Sequence, residues 1–228
     1  MAPIGTAPPP AATGTASQAS EPPRLLDLRP FLAAPLATAP YPHLIASGCL
    51  HPEAVEPLRR DFPDLRRSGF HPTDSFTPRG AFAALLAELE GPELAAAMTA
   101  RFGLDFAALP RLVTVRRLSA AHEGAIHTDS ARKVATLLLY LNPGWSSPDG
   151  RLRVLRRGDS FADPVAEISP EEGTVFAFLR TDTSWHGHTP FVGERRVVQI
   201  AWLRDASDLE RKRKRHRLSL LLKTLFRR

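Results

Sequence analysis

Cysteine is nearly absent from this chain: 228 residues contain one, Cys49. A single thiol excludes an internal disulfide framework and suits a reducing compartment, so a cytoplasmic location is expected. No apolar run reaches the length of a membrane span, and residues 1–20 have neither a basic start nor a continuous apolar stretch, so neither a span nor a secretory signal is expected. A basic body is also lacking. The formal charge is +6, but residues 204–228 hold ten Arg or Lys against three Asp or Glu, which is +7, leaving −1 for the rest. A near-neutral body argues against nucleic-acid binding by the main domain.

What is present falls into three parts. Residues 1–24 are rich in Pro, Ala, Thr and Ser with little to bury, and read as a disordered leader. Residues 25–204 carry folding patterns, with a helical support over 50–105 and strand-like sequence over 111–204. Residues 205–228 read as a basic helix. Leu218, Leu221, Leu222, Leu225 and Phe226 form one apolar stripe on it, suited to a membrane surface at the inner face, to docking on the folded body of the chain, or to a second copy of the chain.

Within the middle part, Tyr41 to Ile45 reads as a short strand, and His51-Pro52-Glu53 opens a helix that Pro63 ends. Two helices follow, 81–90 and 93–101, separated by Gly91-Pro92. From Leu112 the composition turns to strand formers, with candidate strands at 112–118, 134–141, 152–155, 174–178 and 197–203 and turn residues between them. Helices first and short strands after predict a mostly β fold: a double-stranded β-helix, or jelly roll, with α-helices packed on one side.

One constellation in this frame carries chemistry. Positions i and i+2 of an extended segment point the same way, so His127 and Asp129 share a face, and His186 can join them from a distant strand. Two histidines and a carboxylate make the facial triad of non-heme iron(II) oxygenases and leave three coordination positions open. Zinc accepts the same ligands. Arg196 shares its parity with Val198, Ile200 and Trp202, so if that face is interior, Arg196 is a buried cation in need of a carboxylate. A one-residue bulge would exchange it with Arg195. Around the motif, His188 supports the ligands, faces substrate or packs at the rim; His122 lines the entrance or is a surface loop residue; Trp185 packs to hold the direction of His186; and Arg132 and Lys133 meet an anionic substrate or form a solvated turn.

In series, these motifs resemble the 2-oxoglutarate and iron(II)-dependent oxygenases, in the branch similar to prolyl 4-hydroxylase catalytic domains. The resemblance covers about residues 42–203. It rests on Tyr41-Pro42-His43-Leu44, Phe62-Pro63, Arg116, His127-Thr128-Asp129, Leu139-Tyr140-Leu141-Asn142 with Trp145, Gly173-Thr174-Val175-Phe176, Trp185-His186-Gly187-His188 and Gly193-Glu194-Arg195-Arg196. It implies that His127, Asp129 and His186 bind Fe(II), that Arg196 and Tyr140 hold 2-oxoglutarate, and that O2 is consumed, with ascorbate a helpful reductant. The reaction implied is hydroxylation of a C–H bond in a small-molecule or peptidyl substrate, with release of succinate and CO2. Prolyl 4-hydroxylase-like modification of a peptide is one alternative and a non-catalytic metal-binding jelly roll another. One departure concerns substrate: Arg151, in Asp149-Gly150-Arg151-Leu152-Arg153, replaces a small residue where the family places the substrate entrance.

Overall fold

The central sheet of this computed structural model is buried on both faces, which explains why its strands read as near-continuous apolar runs such as Ala135-Thr136-Leu137-Leu138-Leu139-Tyr140. The structure describes residues 24–207 and 210, so the leader expected at 1–24 and the basic helix expected at 205–228 lie almost wholly outside the described residues. Among the described residues, no helix is long and apolar enough to cross a membrane.

In chain order the elements are α1 (Arg29–Ala33), β1 (His43–Ala46), α2 (Pro52–Asp61), β2 (His71–Pro72), α3 (Gly80–Glu90) and α4 (Pro92–Phe102). The strands β3 (Arg111–Ser119), β4 (Lys133–Tyr140), β5 (Leu152–Leu155), β6 (Pro164–Ile168), β7 (Val175–Leu179), β8 (His186–His188) and β9 (Gly193–Leu203) follow. Local chemistry sets the helix ends. Pro52 and Pro92 begin α2 and α4, where the missing N–H costs nothing. Gly103, with φ of 72°, ends α4 in the left-handed region. The Asp61 carboxylate accepts from the Ala81 N–H at 2.8 Å and so helps to cap α3 from the end of α2.

Strands pair antiparallel in two sheets, one ordered β1-β7-β4-β9-β3-β2 and one ordered β6-β5-β8. Their inner faces meet in one cluster, where Leu138, Tyr140, Phe176, Phe178 and Val197 pack on Leu152, Val154 and Ile168. The outer face of the large sheet is covered by the helices. Val113, Leu137, Ala177, Ile200 and Trp202 pack there with Leu58, Phe82, Leu85 and Met98. This is the mostly β jelly roll with helices on one side that the sequence predicts. The structure adds β2, β6, β8 and α1, which the periodicity did not mark.

The two-sided burial decides the arginine question. Val198, Ile200 and Trp202 do share a buried face, but it is the helix-facing one. The opposite face of β9 enters the jelly roll, and it carries Arg195 and Val197. The assignment of Arg196 to the interior is therefore corrected. Arg196 stays partly exposed, paired with Glu194 at 3.0 Å and lying over the Phe62 ring, while Arg195 is 2 % exposed.

Candidate metal and cosubstrate site

His127 and His186 face each other as a hydrogen-bonded antiparallel pair. Each donates its backbone N–H to the other's carbonyl oxygen at 3.0 Å. A third backbone bond, His188 N–H to the Gly124 carbonyl at 2.8 Å, continues the pairing. Gly124 has φ of 93°, and a Cβ there would lie 2.4 Å from the His188 ring and 2.6 Å from the His188 carbonyl oxygen. Only glycine lets the two segments approach this closely.

The side chains follow from that pairing. The imidazole centroids lie 4.4 Å apart, and the ligand atoms of His127, Asp129 and His186 all lie within 4.8 Å of one another. Each histidine donates Nδ1–H to a carbonyl two residues back, His127 to Ala125 and His186 to Ser184, both at 2.9 Å. Those bonds fix the tautomer and leave both Nε2 lone pairs free for a cation. His127 is exposed, whereas Asp129 and His186 are buried, so the site opens to solvent on one side.

Electrostatics suit the same use. Burial pushes the His186 pKa down to about 4, against the pull of Asp129, so the imidazole is neutral and able to ligate at physiological pH. Burial alone would raise the Asp129 pKa, but the Lys133 ammonium and His186 outweigh it and hold the carboxyl at about 2. Two imidazoles and one carboxylate are a donor set that fits iron(II).

A second group of side chains lies on the inner face beside the triad. Arg195 donates Nε–H to the Gly150 carbonyl at 2.8 Å and lies 5.3 Å from the Tyr140 ring centroid. Arg116 stacks on Phe70 and meets Glu123 at 3.4 Å. Burial first, and then Arg195, lower the Arg116 pKa to about 10, partly offset by Glu123. Burial and the same two arginines push His188 down to about 3. Four polar atoms here are buried without a hydrogen-bond partner among the described residues: Arg116 Nε, Tyr140 Oη, His188 Nε2 and Arg195 Nη2. Orphaned buried polar groups are costly, and two guanidiniums with a single carboxylate, Glu123 on Arg116, carry excess positive charge. A carboxylate such as 2-oxoglutarate would supply fits this lining, whose inner-face cation is Arg195 and not Arg196.

The remaining expectations divide. Tyr140 sits in the group, as expected. His188 is buried beside Arg195 and is no rim residue. Lys133 is not a solvated turn residue; it is buried against Asp129. Arg151 lies on the outer side of the small sheet, bonded to the Ser147 carbonyl and Glu167, and does not enter the pocket. His122 is exposed. Arg116 joins Arg195 and Tyr140 from β3; its parity with Thr114 is legible in the sequence, but no motif spacing ties it to a ligand.

Comparison with known proteins agrees with this geometry. Residues 113–204 match the family described as the 2OG-Fe(II) oxygenase superfamily. No curated protein matches the chain. Among solved structures, a prolyl 4-hydroxylase of Phytophthora capsici is similar at 20 % identity and a TM-score of 0.54, over 71 % of this chain and 58 % of that one. A prolyl-4-hydroxylase of Pseudomonas putida is similar at 22 % identity and a TM-score of 0.50, over 72 % of this chain and 88 % of that one. At these identities the likeness is one of fold. Residues 113–204, the stretch that matches the 2OG-Fe(II) oxygenase superfamily, hold all three candidate ligands and both inner-face arginines.

Proposed function

We propose that the chain hydroxylates a C–H bond of an organic substrate, using Fe(II), 2-oxoglutarate and O2 and releasing succinate and CO2. The observation that carries this is the adjacency of two sets on one inner face: a His-Asp-His donor set and a buried, unneutralised Arg195 beside Tyr140. A metal site alone would suit a binding module. A metal site with a built carboxylate pocket beside it suits an oxidising enzyme.

Bound iron and cosubstrate supply the oxidising power, and the chain supplies placement. His127, Asp129 and His186 would hold the metal and leave it able to take small ligands. Arg195 anchors the remote carboxylate of 2-oxoglutarate, with the Tyr140 hydroxyl as a second donor. The exposed edge at His127 is where substrate approaches. The two similar solved proteins are named prolyl 4-hydroxylases, which makes a peptidyl proline the first substrate class to offer.

Anaerobic titration of the protein with Fe(II) and 2-oxoglutarate tests the core of this reading. A weak visible charge-transfer band is expected, and it should be lost in His127→Ala. A folded wild-type protein with no band would remove both the iron and the cosubstrate from the reading. Succinate release over prolyl peptides, amino acids, lipids and saccharides then identifies the substrate.

A further inference from the structure

Lys133 is a buried ammonium placed by an irregularity in its strand. Thr136, Leu138 and Tyr140 of β4 point into the jelly roll, so strict alternation would bring Val134 inward and leave Lys133 outside. The pairing with β9 does not alternate strictly. It steps from Ala135 opposite Trp202 to Lys133 opposite Leu203, two residues on β4 for one on β9. That bulge turns Lys133 to the inner face. There it is 7 % exposed, and its Nζ lies 2.6 Å from Asp129 Oδ1. The other oxygen, Asp129 Oδ2, accepts from Thr136 Oγ1 at 2.6 Å.

Burying an ammonium is costly unless a charged partner offsets it. Asp129 is that partner, and it is also the only carboxylate of the candidate metal site. A metal cation meets a different environment at the two oxygens. Beside Oδ1 stands a full positive charge that repels it and draws electron density away, whereas beside Oδ2 stands a neutral hydroxyl. The carboxylate is also held against rotation at both ends. From this we infer that Lys133 is a positioning residue which limits Asp129 to donating one oxygen to the metal. The consequence is a count of open positions. With one-oxygen donation the triad uses three positions and leaves three. With two-oxygen donation one of those is lost to the protein, and a 2-oxo acid that attaches through two oxygens competes for what remains.

The inference rests on the metal and cosubstrate reading above, and the test separates the two. Co(II) is titrated into the metal-free protein, and 2-oxoglutarate is then titrated into the Co(II)-loaded protein, for wild type, Lys133→Met and Lys133→Arg. Lys133→Met is expected to hold Co(II) at least as tightly as wild type, while its 2-oxoglutarate affinity falls by about tenfold or more. Lys133→Arg, which restores the cation, should bring cosubstrate affinity back. If Met at this position prevents folding, Lys133→Gln, polar and uncharged, is read in the same way. Loss of Co(II) and 2-oxoglutarate affinity in parallel would mean that Lys133 only supports the structure, and would overturn the inference. Unchanged cosubstrate affinity would overturn it as well. A wild-type protein that binds neither ligand would instead overturn the metal and cosubstrate reading itself.

Discussion

Arg195 and Arg196 are the same residue type at neighbouring positions, and the sheet gives them opposite surroundings. Among the described residues, Arg195 has no acidic partner and its Nη2 is buried without a hydrogen bond, while Arg196, although its Nε is also unbonded, pairs with Glu194 and lies over the Phe62 ring. Arg195→Gln should therefore weaken 2-oxoglutarate binding by about 10- to 100-fold, the worth of a charge-assisted hydrogen bond of about 1.5–3 kcal/mol. Arg196→Gln should change it by less than about threefold, since exposed pairs contribute under about 1 kcal/mol. Cosubstrate KM measured on both variants checks this, and equal effects would return the assignment to the pair. Residue by residue, the triad was readable because His127 and Asp129 lie two apart and His186 precedes a turn. The arginine was not, because strand parity separates two faces without saying which one encloses the site. Lys133 was hidden by its bulge, which reverses the face that alternation assigns.

The segments that carry the ligands are shorter and less regular than those that carry the core. β4, β7 and β9 are rich in β-branched, leucine and aromatic residues, and their positions could be read within a residue or two, apart from the start of β9. β8 is His186-Gly187-His188, three residues with no apolar pattern, and β6 is a half-exposed edge strand. Such elements exist through their partners and leave little trace in composition. The cohesion of β8 with the His127 segment depends on the close approach at Gly124. Gly124→Ala places a methyl group against the His188 ring and carbonyl at a positive φ, and should destabilise the protein by on the order of 2–4 kcal/mol. Adding His188→Ala should not restore stability, because the contact with the backbone carbonyl remains. Urea unfolding of the single and double variants reads the outcome, and a wild-type midpoint for Gly124→Ala would contradict the packing described.

Across the whole molecule, the buried histidines tie stability to pH. The folded pKa values of His186 and His188 lie near 4 and near 3, below the ordinary histidine value of 6.5. As pH falls below about 6.5 the unfolded chain takes up protons that the folded chain refuses, so metal-free stability should decline towards pH 4 by on the order of a few kcal/mol. The carboxyl of Asp129, held near 2, extends the decline to lower pH. Thermal unfolding in chelator from pH 7 to pH 4.5 should show a falling midpoint, and a flat profile would mean that these groups are solvated.

The reciprocal backbone bonds between His127 and His186 bear on how the protein meets its metal. Donor spacing is set by peptide groups and by Nδ1 bonds to carbonyls, so the ligands need not be gathered by the ion that they bind. The metal is then a guest of a finished scaffold, unlike the ion of a zinc finger, whose arrival is the folding event. Stripping it should cost only the linkage term set by its concentration and affinity, leaving one cooperative transition. A cell that runs short of iron would keep this chain folded and waiting, and recharging would need no refolding.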